Sequence, residues 1–396
     1  MPSVEDLPGA RDQVQAFGGQ SPVQIPIRTL TAFRRSVNPP QPNPNPAGTW
    51  SATPPGREPV QELPPPPPRS FLSRLRAWRV PPAVALVALS ITLAEILTGS
   101  TPVAALVDPL VLLELLGLYG AGALLIRDLS IRWGNGWVSI FLLGFAYAIA
   151  EEGIATKTLV DPTRPSISYL GSLLHAGGIN WGVVAGILPF HALYSIGLPI
   201  LLVELLFPDT RGRRLLGNRG LGGAFIALAA TVTFGYFGFD PHYFEGYPVL
   251  GILLLALVAF VVLAWKLPGS ILLPPTPGPT RAPRWFLGVG TGYAAAWAFF
   301  DLLFPGLTPF PGLMIVGEIA SAPIALLLVR RHVGRGENDR EKMDLALGLL
   351  SWYIPWVVLL VVLGDALALL PFALLFAVLW HRRSQRYRVP SGAAAG

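Results

Sequence analysis

About ten times along this chain an apolar run of about 17–25 residues is followed by a short stretch of glycine, proline or charge. A helix of that length crosses about 30 Å of hydrocarbon, so the pattern predicts an all-α fold: a polytopic transmembrane helix bundle. The spans lie near Val80–Leu97, Leu106–Ile126, Gly136–Glu152, Gly182–Phe207, Leu221–Phe239, Pro248–Leu267, Arg284–Leu303, Phe310–Val329, Met343–Leu363 and Ala366–Trp380, the last being short. With 52% hydrophobic and 13% charged residues, the composition agrees with this class. The absence of cysteine excludes disulfides, thiolate nucleophiles and cysteine-bound zinc or iron–sulfur centres.

The basic residues cluster in alternate connections. Arg127 and Arg132 follow the second span, Arg211, Arg213, Arg214 and Arg219 the fourth, and Arg330, Arg331, Arg335, Arg340 and Lys342 the eighth. Arg69, Arg74, Arg76 and Arg79 precede the first span, Lys266, Arg281 and Arg284 separate the sixth and seventh, and Arg382, Arg383, Arg386 and Arg388 follow the tenth, while the alternate connections are nearly bare of Lys and Arg apart from Lys157 and Arg164. The positive-inside rule then predicts a protein of the bacterial inner membrane with both termini in the cytoplasm, and it requires the short tenth span. The net charge of +6 is accordingly a topology signal, and no nucleic-acid partner is expected. The first long apolar stretch begins only near Val80, which predicts no cleavable signal peptide. Residues 1–68, with the run Pro64–Pro68, read as a disordered Pro-rich arm, 69–388 as the transmembrane domain and 389–396 as a flexible tail.

Within the spans, Glu151-Glu152 is the pair that most needs explaining. Each ionised carboxylate deep in a bilayer costs about 2.5–3.5 kcal/mol, so two adjacent ones require partners, protons or a task. At about 1.5 Å rise per residue, the end of the third span and His191, roughly 13 Å into the fourth, reach similar depth. Tyr194 and Ser195 lie one turn beyond the histidine. Two close carboxylates cannot both ionise cheaply, which leaves an acid beside a base, and a histidine can position water or bind a metal. The same groups also suit a proton or cation relay. The plainer alternative is an interfacial capping pair and a structurally bonded histidine. Glu95, Glu114, Asp301 and Glu318 fall in the same half of the membrane, and Asp240 and His242 lie in a loop on that side. No metal motif of diagnostic spacing occurs, so no cofactor is expected, and any metal ion would be held by residues from separate helices. Gly288-Val289-Gly290-Thr291-Gly292 resembles a nucleotide loop but lies inside an apolar span, and it reads as a helix-packing stripe. Pro189 and Pro199 should bend the fourth span and free carbonyls around His191.

Two stretches resemble a group of uncharacterised bacterial, largely actinobacterial, multi-pass membrane proteins: Tyr119–Arg127 through Gly136-Trp137 to Glu151-Glu152-Gly153 and Asp161-Pro162, and His191-x-x-Tyr194-Ser195-Ile196 through Pro199 and Glu204 to Phe207-Pro208. A more distant similarity is to the CPBP family of intramembrane proteases, with its Glu-Glu-x-x-x-Arg, Phe-x-x-x-His and second-histidine motifs. That resemblance implies a glutamate-activated water and histidines stabilising an oxyanion, with Glu151, Glu152, His191 and His242 in those places. The chain departs from it at Thr156, Ile187 and Gly246, which stand where the family has Arg, Phe and Asn or Asp.

Three functions follow as expectations. One is a CPBP-like hydrolase acting on a membrane-embedded peptide through Glu151, Glu152, His191 and His242. Another is a proton- or cation-coupled transporter of a small ion, with Glu95, Glu114, Tyr194, Ser195, Asp240 and Glu318 as binding or relay groups. The third is a non-catalytic membrane scaffold recruiting partners through the Pro-rich arm. The partner common to all three is the lipid bilayer.

Overall fold

The computed structural model describes residues 80–164, 167, 174–272, 281–307, 310, 312–332 and 338–386; the Pro-rich arm, Arg335 and the 389–396 tail lie outside the described residues. Nine helices among them are long and apolar enough to span a bilayer: α2 Pro109–Trp133, α3 Gly136–Ala155, α4 Trp181–Leu206, α5 Asn218–Gly238, α6 Tyr247–Lys266, α7 Pro283–Gly306, α8 Gly312–His332, α9 Asp339–Val362 and α10 Ala366–Ser384. A shorter apolar helix, α1 Pro82–Ile96, precedes them. These ten correspond to the ten expected spans, with one difference of detail. The tenth span, expected to be the short one, extends to Ser384, whereas the first span is the one cut short.

Local chemistry sets several of these ends. Pro82 and Pro109 occupy the first position of their helices, where the missing N–H is not needed, and the Asp108 carboxylate accepts the Leu110 amide at 2.8 Å. Gly134 closes α2 in the left-handed conformation, φ 74°, which allows the tight reversal into α3. Asn338 caps α9 by accepting the Arg340 amide. The helix α9 breaks at Ser351–Trp352, and a short hairpin, His175–Ala176 with Ile179–Asn180, leads into α4.

Apolar pattern alone does not separate inner from outer helices, because each is apolar all round. Tertiary burial does. Helix α4 is 83% buried, whereas α5 is 6% and α6 and α8 are each 11%. Helix α4 is thus the axis of the bundle, and α5, α6 and α8 expose their apolar faces, as helices do beside lipid. Close approach depends on small residues. A β-carbon on Gly144 of α3 would lie 2.7 Å from Ala192 Cα of α4. Of the glycine stripe in α7, only Gly290 packs: its β-carbon would come within 2.5 Å of Leu345 O, while Gly348 of α9 abuts Leu287 O in return. Gly288 and Gly292 have open space in front of them, so the stripe expected from the sequence narrows to one residue and its partner.

Five of the helices contain π-helical turns: Thr92–Ile96 in α1, Leu116–Gly120 in α2, Ile149–Ala155 in α3, His191–Gly197 in α4 and Phe299–Leu303 in α7. Each inserts one residue into the helical ladder, and hydroxyls from neighbouring helices bond carbonyls in these turns. Ser90 Oγ donates to Ser195 O at 2.7 Å and to Tyr119 O at 3.2 Å, and Tyr353 OH donates to Leu93 O. Between Pro189 and Pro199, where the sequence suggests a bend, α4 takes the π turn His191–Gly197.

Candidate functional site

The π turns of α1, α2, α3 and α4 carry Glu95, Tyr119, Glu151-Glu152 and His191, and these side chains converge. The contact of Gly144 with Ala192 seats α3 directly against α4. One imidazole then sits between two carboxylates. His191 Nε2 is 2.8 Å from Glu152 Oε1, and Nδ1 is 3.2 Å from Glu151 Oε2 and 3.0 Å from Ser195 Oγ. Histidine 191 and Glu151 are buried, and Glu152 nearly so.

The two glutamates differ in their surroundings. Glu152 is fully engaged: its second oxygen accepts from Thr156 Oγ1 at 3.0 Å and from Thr158 Oγ1 as well. Glu151 Oε2 has the His191 imidazole at 3.2 Å, with the Tyr147 and Tyr119 hydroxyls beside its carboxylate. Glu151 lacks the threonine anchors of Glu152 and is thus the carboxylate more open to a water, an ion or a reacting group.

Aromatic rings enclose the histidine. Tyr119 stacks on it with centroids 6.3 Å apart, Tyr147 tilts over it at 6.0 Å, and Phe190 meets its edge at 5.5 Å. Tyr119 OH in turn donates to Glu95 Oε1, and Thr101 Oγ1 donates to Glu95 Oε2 at 2.6 Å. The group therefore contains three carboxylates and a single imidazole, with Lys157, the nearest lysine in sequence, turned elsewhere. Its Nζ donates to the carbonyls of Asp240 and Tyr243 at 2.8 Å each. Negative charge exceeds positive charge here even with a charged imidazole, so protons or a cation must complete the balance. One ligand atom from each of Glu151, Glu152 and His191 lies within 4.8 Å of the others, a set able to hold a divalent metal ion.

Other expected residues fall elsewhere. Tyr194 turns away from His191 and donates to Leu349 O at 3.2 Å, within an aromatic cluster that includes Trp297, Trp352 and Tyr353. Asp240 accepts the Tyr243 amide, and His242 is exposed beside it rather than joined to the Glu–His group. Glu114 is half-buried near Glu95 without being among its hydrogen-bond partners. Glu318 pairs with Asp301 at Gly186, on another part of α4.

Reasoning from sequence missed Tyr119, Tyr147, Thr101 and Thr158. A hydroxyl inside an otherwise apolar run is a signal for the tyrosines, since each must find a polar neighbour. The threonines lie outside the runs and carry no such mark.

Fold and site together define a polytopic helical membrane protein with a buried glutamate–histidine centre. The chain belongs to an uncharacterised membrane protein family, whose model matches residues 84–395. Neither the curated proteins nor the solved structures contain a match to it. The likeness to the CPBP enzymes and to actinobacterial proteins has no counterpart in these comparisons.

Proposed function

We propose that this protein is a membrane-embedded hydrolase acting on a peptide-class substrate from within the bilayer. The observation that carries the reading is the buried Glu151 carboxylate, set between the Tyr147 hydroxyl and an imidazole whose other nitrogen is held by Glu152. Glu151 is the general base: it takes a proton from a water as the water oxygen adds to the substrate carbonyl, then delivers that proton to the departing amine. Glu152, anchored by Thr156 and Thr158, orients His191. His191 Nδ1–H and Tyr147 O–H are the donors to the developing oxyanion. Tyr147 thus takes the place that the resemblance implied for His242. The proposed setting is the bacterial inner membrane with both termini in the cytoplasm, which puts the centre in the outer half of the bilayer.

The test is cleavage of a library of apolar membrane-segment peptides by the protein in lipid nanodiscs, read by mass spectrometry. Products that appear with the wild type and vanish with Glu151→Gln support the reading. An identical product pattern from both proteins ends it.

A second reading, a proton- or cation-coupled carrier, is favoured by the continuation of the centre through Tyr119 to Glu95. It expects pH-dependent ion flux in liposomes that Glu95→Gln abolishes. Flux that ignores this change rules it out.

A further inference from the structure

A second pair of acids lies apart from the Glu–His centre and takes no part in the hydrolytic scheme. Asp301 sits on the π turn of α7, and Glu318 sits on the facing stretch of α8. The two helices are locked together next to these residues, where the Phe300 ring lies over Gly317 so closely that a β-carbon there would be 2.4 Å from it. The two carboxylates therefore face each other and converge on a third helix. A β-carbon on Gly186 of α4 would be 2.2 Å from Asp301 Oδ1 and 3.0 Å from Glu318 Oε1. The missing side chain of Gly186 is what leaves these oxygens room.

Glu318 is only 2% exposed, and apart from Asp301 its buried oxygens have no hydrogen-bond partner. The Trp297 indole N–H of α7 is used by the Gly186 carbonyl at 3.3 Å, and Tyr293 of the same helix lies near Glu318 without being its hydrogen-bond partner. The basic residues of α8 begin at Arg330, about 18 Å along the axis from Glu318. In α4 the segment Trp181–Phe190 carries no charged side chain. Two adjacent carboxylates in a water-poor site, with only each other as hydrogen-bond partners and no opposite charge beside them among the described residues, are an incomplete arrangement.

Two backbone carbonyls next in sequence to Gly186 and Glu318 are freed by prolines. Pro189 lies inside α4 and Pro323 inside α8, each with no N–H to offer. The Ala185 and Ile319 carbonyls therefore lack their donors one turn on, and these residues neighbour Gly186 and Glu318 in sequence. An all-oxygen set dominated by carboxylates suits a hard cation, and two negative charges are balanced by one divalent ion. We infer that Asp301 and Glu318, meeting over Gly186, form a binding site for a hard divalent cation of the magnesium, calcium or manganese type. The site is separate from Glu151, Glu152 and His191 and exists whether or not that centre is hydrolytic.

The probe is Mn2+ added to the full chain in detergent, followed by the loss of the free-ion signal in electron paramagnetic resonance. The expected result is saturable binding that Glu318→Gln and Asp301→Asn each weaken at least tenfold, while Glu151→Gln changes it less than twofold. Gly186→Ala, whose added methyl meets the Asp301 carboxylate, should weaken it as well. Calcium should displace the bound manganese, and potassium at the same ionic strength should not. Elution volume and circular dichroism identify variants that keep the fold, and Glu318→Gln, nearly isosteric, is the variant on which the result rests. Absence of saturable Mn2+ binding in the wild type overturns the inference. So does binding that survives Glu318→Gln, and so does binding lost with Glu151→Gln alone, which would place the ion at the other centre.

Discussion

His191 Nε2 lies 2.8 Å from Glu152 Oε1 while Nδ1 of the same ring lies 3.2 Å from Glu151 Oε2, so that one imidazole from α4 is clamped by consecutive glutamates of α3. Consecutive residues on a regular helix point about 100° apart, and the π turn Ile149–Ala155 is where the helix departs from that regular path. The clamp makes α3 and α4 depend on each other for charge as well as for packing.

Removing the imidazole tests that dependence. His191→Ala leaves two buried carboxylates facing a cavity, and breaking a buried ionic pair on one side costs about 3–5 kcal/mol. Thermal unfolding in detergent should show a large fall in midpoint. Glu152→Gln, which keeps a hydrogen-bond acceptor for the ring, should fall less. Equal midpoints for His191→Ala and wild type would mean that the clamp contributes nothing to stability.

Catalysis should divide the two glutamates differently. Glu151→Gln removes the carboxylate that no threonine anchors and should lower any peptide hydrolysis about 10²- to 10⁴-fold, the usual contribution of a positioned base. Tyr147→Phe should lower it with a smaller fall in unfolding midpoint than His191→Ala, because it removes one hydroxyl beside Glu151 and keeps the ring against His191. Steady-state rates on a cleaved peptide provide the check.

The approach of α3 to α4 is set at Gly144. Gly144→Ala places a methyl against the Ala192 backbone, and overpacking of this kind costs about 1–3 kcal/mol. Both the unfolding midpoint and activity should drop together, since the same shift parts Glu151 and Glu152 from His191. A variant that lost stability but kept full turnover would separate packing from the site.

Lys157 interrupted the otherwise clear alternation of basic and bare connections, and the structure gives it a structural task. It is buried, adopts a left-handed backbone with φ 60°, donates to the Asp240 and Tyr243 carbonyls, and lies over the Tyr236 ring. Lys157→Met strands two acceptors, at about 1–3 kcal/mol for an unsatisfied buried group. Limited proteolysis should then cut near Asp240–Tyr243 faster than in the wild type. An unchanged cleavage rate would show that the lysine does not hold this loop.

Orientation is open to a direct test because the chain has no cysteine of its own. His242→Cys and Arg214→Cys each introduce a single thiol at an exposed position. A membrane-impermeant maleimide should label the first in intact cells and the second only after permeabilisation. The reverse pattern would invert the topology and move the Glu–His centre to the cytoplasmic half.

The apolar runs, read alone, were enough to determine the helical membrane class, the ten helices and the shared depth of Glu151, Glu152 and His191. Those properties are legible because bilayer thickness and helical rise convert chain position directly into depth. Rotation about each helix axis is a different quantity. It decided that Ser195 faces His191 and Tyr194 does not, that Gly290 packs and Gly288 does not, and that Tyr119 joins Glu95 to the centre. It also brought Asp301 to Glu318 and left His242 outside. Helices that are apolar on every side carry no stripe from which a facing direction can be read, and each π turn shifts the residues beyond it around the axis by about 100°. Only the packing of small residues against their neighbours, backbones at Gly144 and Gly290 and carboxylates at Gly186, determines those directions, and that packing exists only in the assembled bundle.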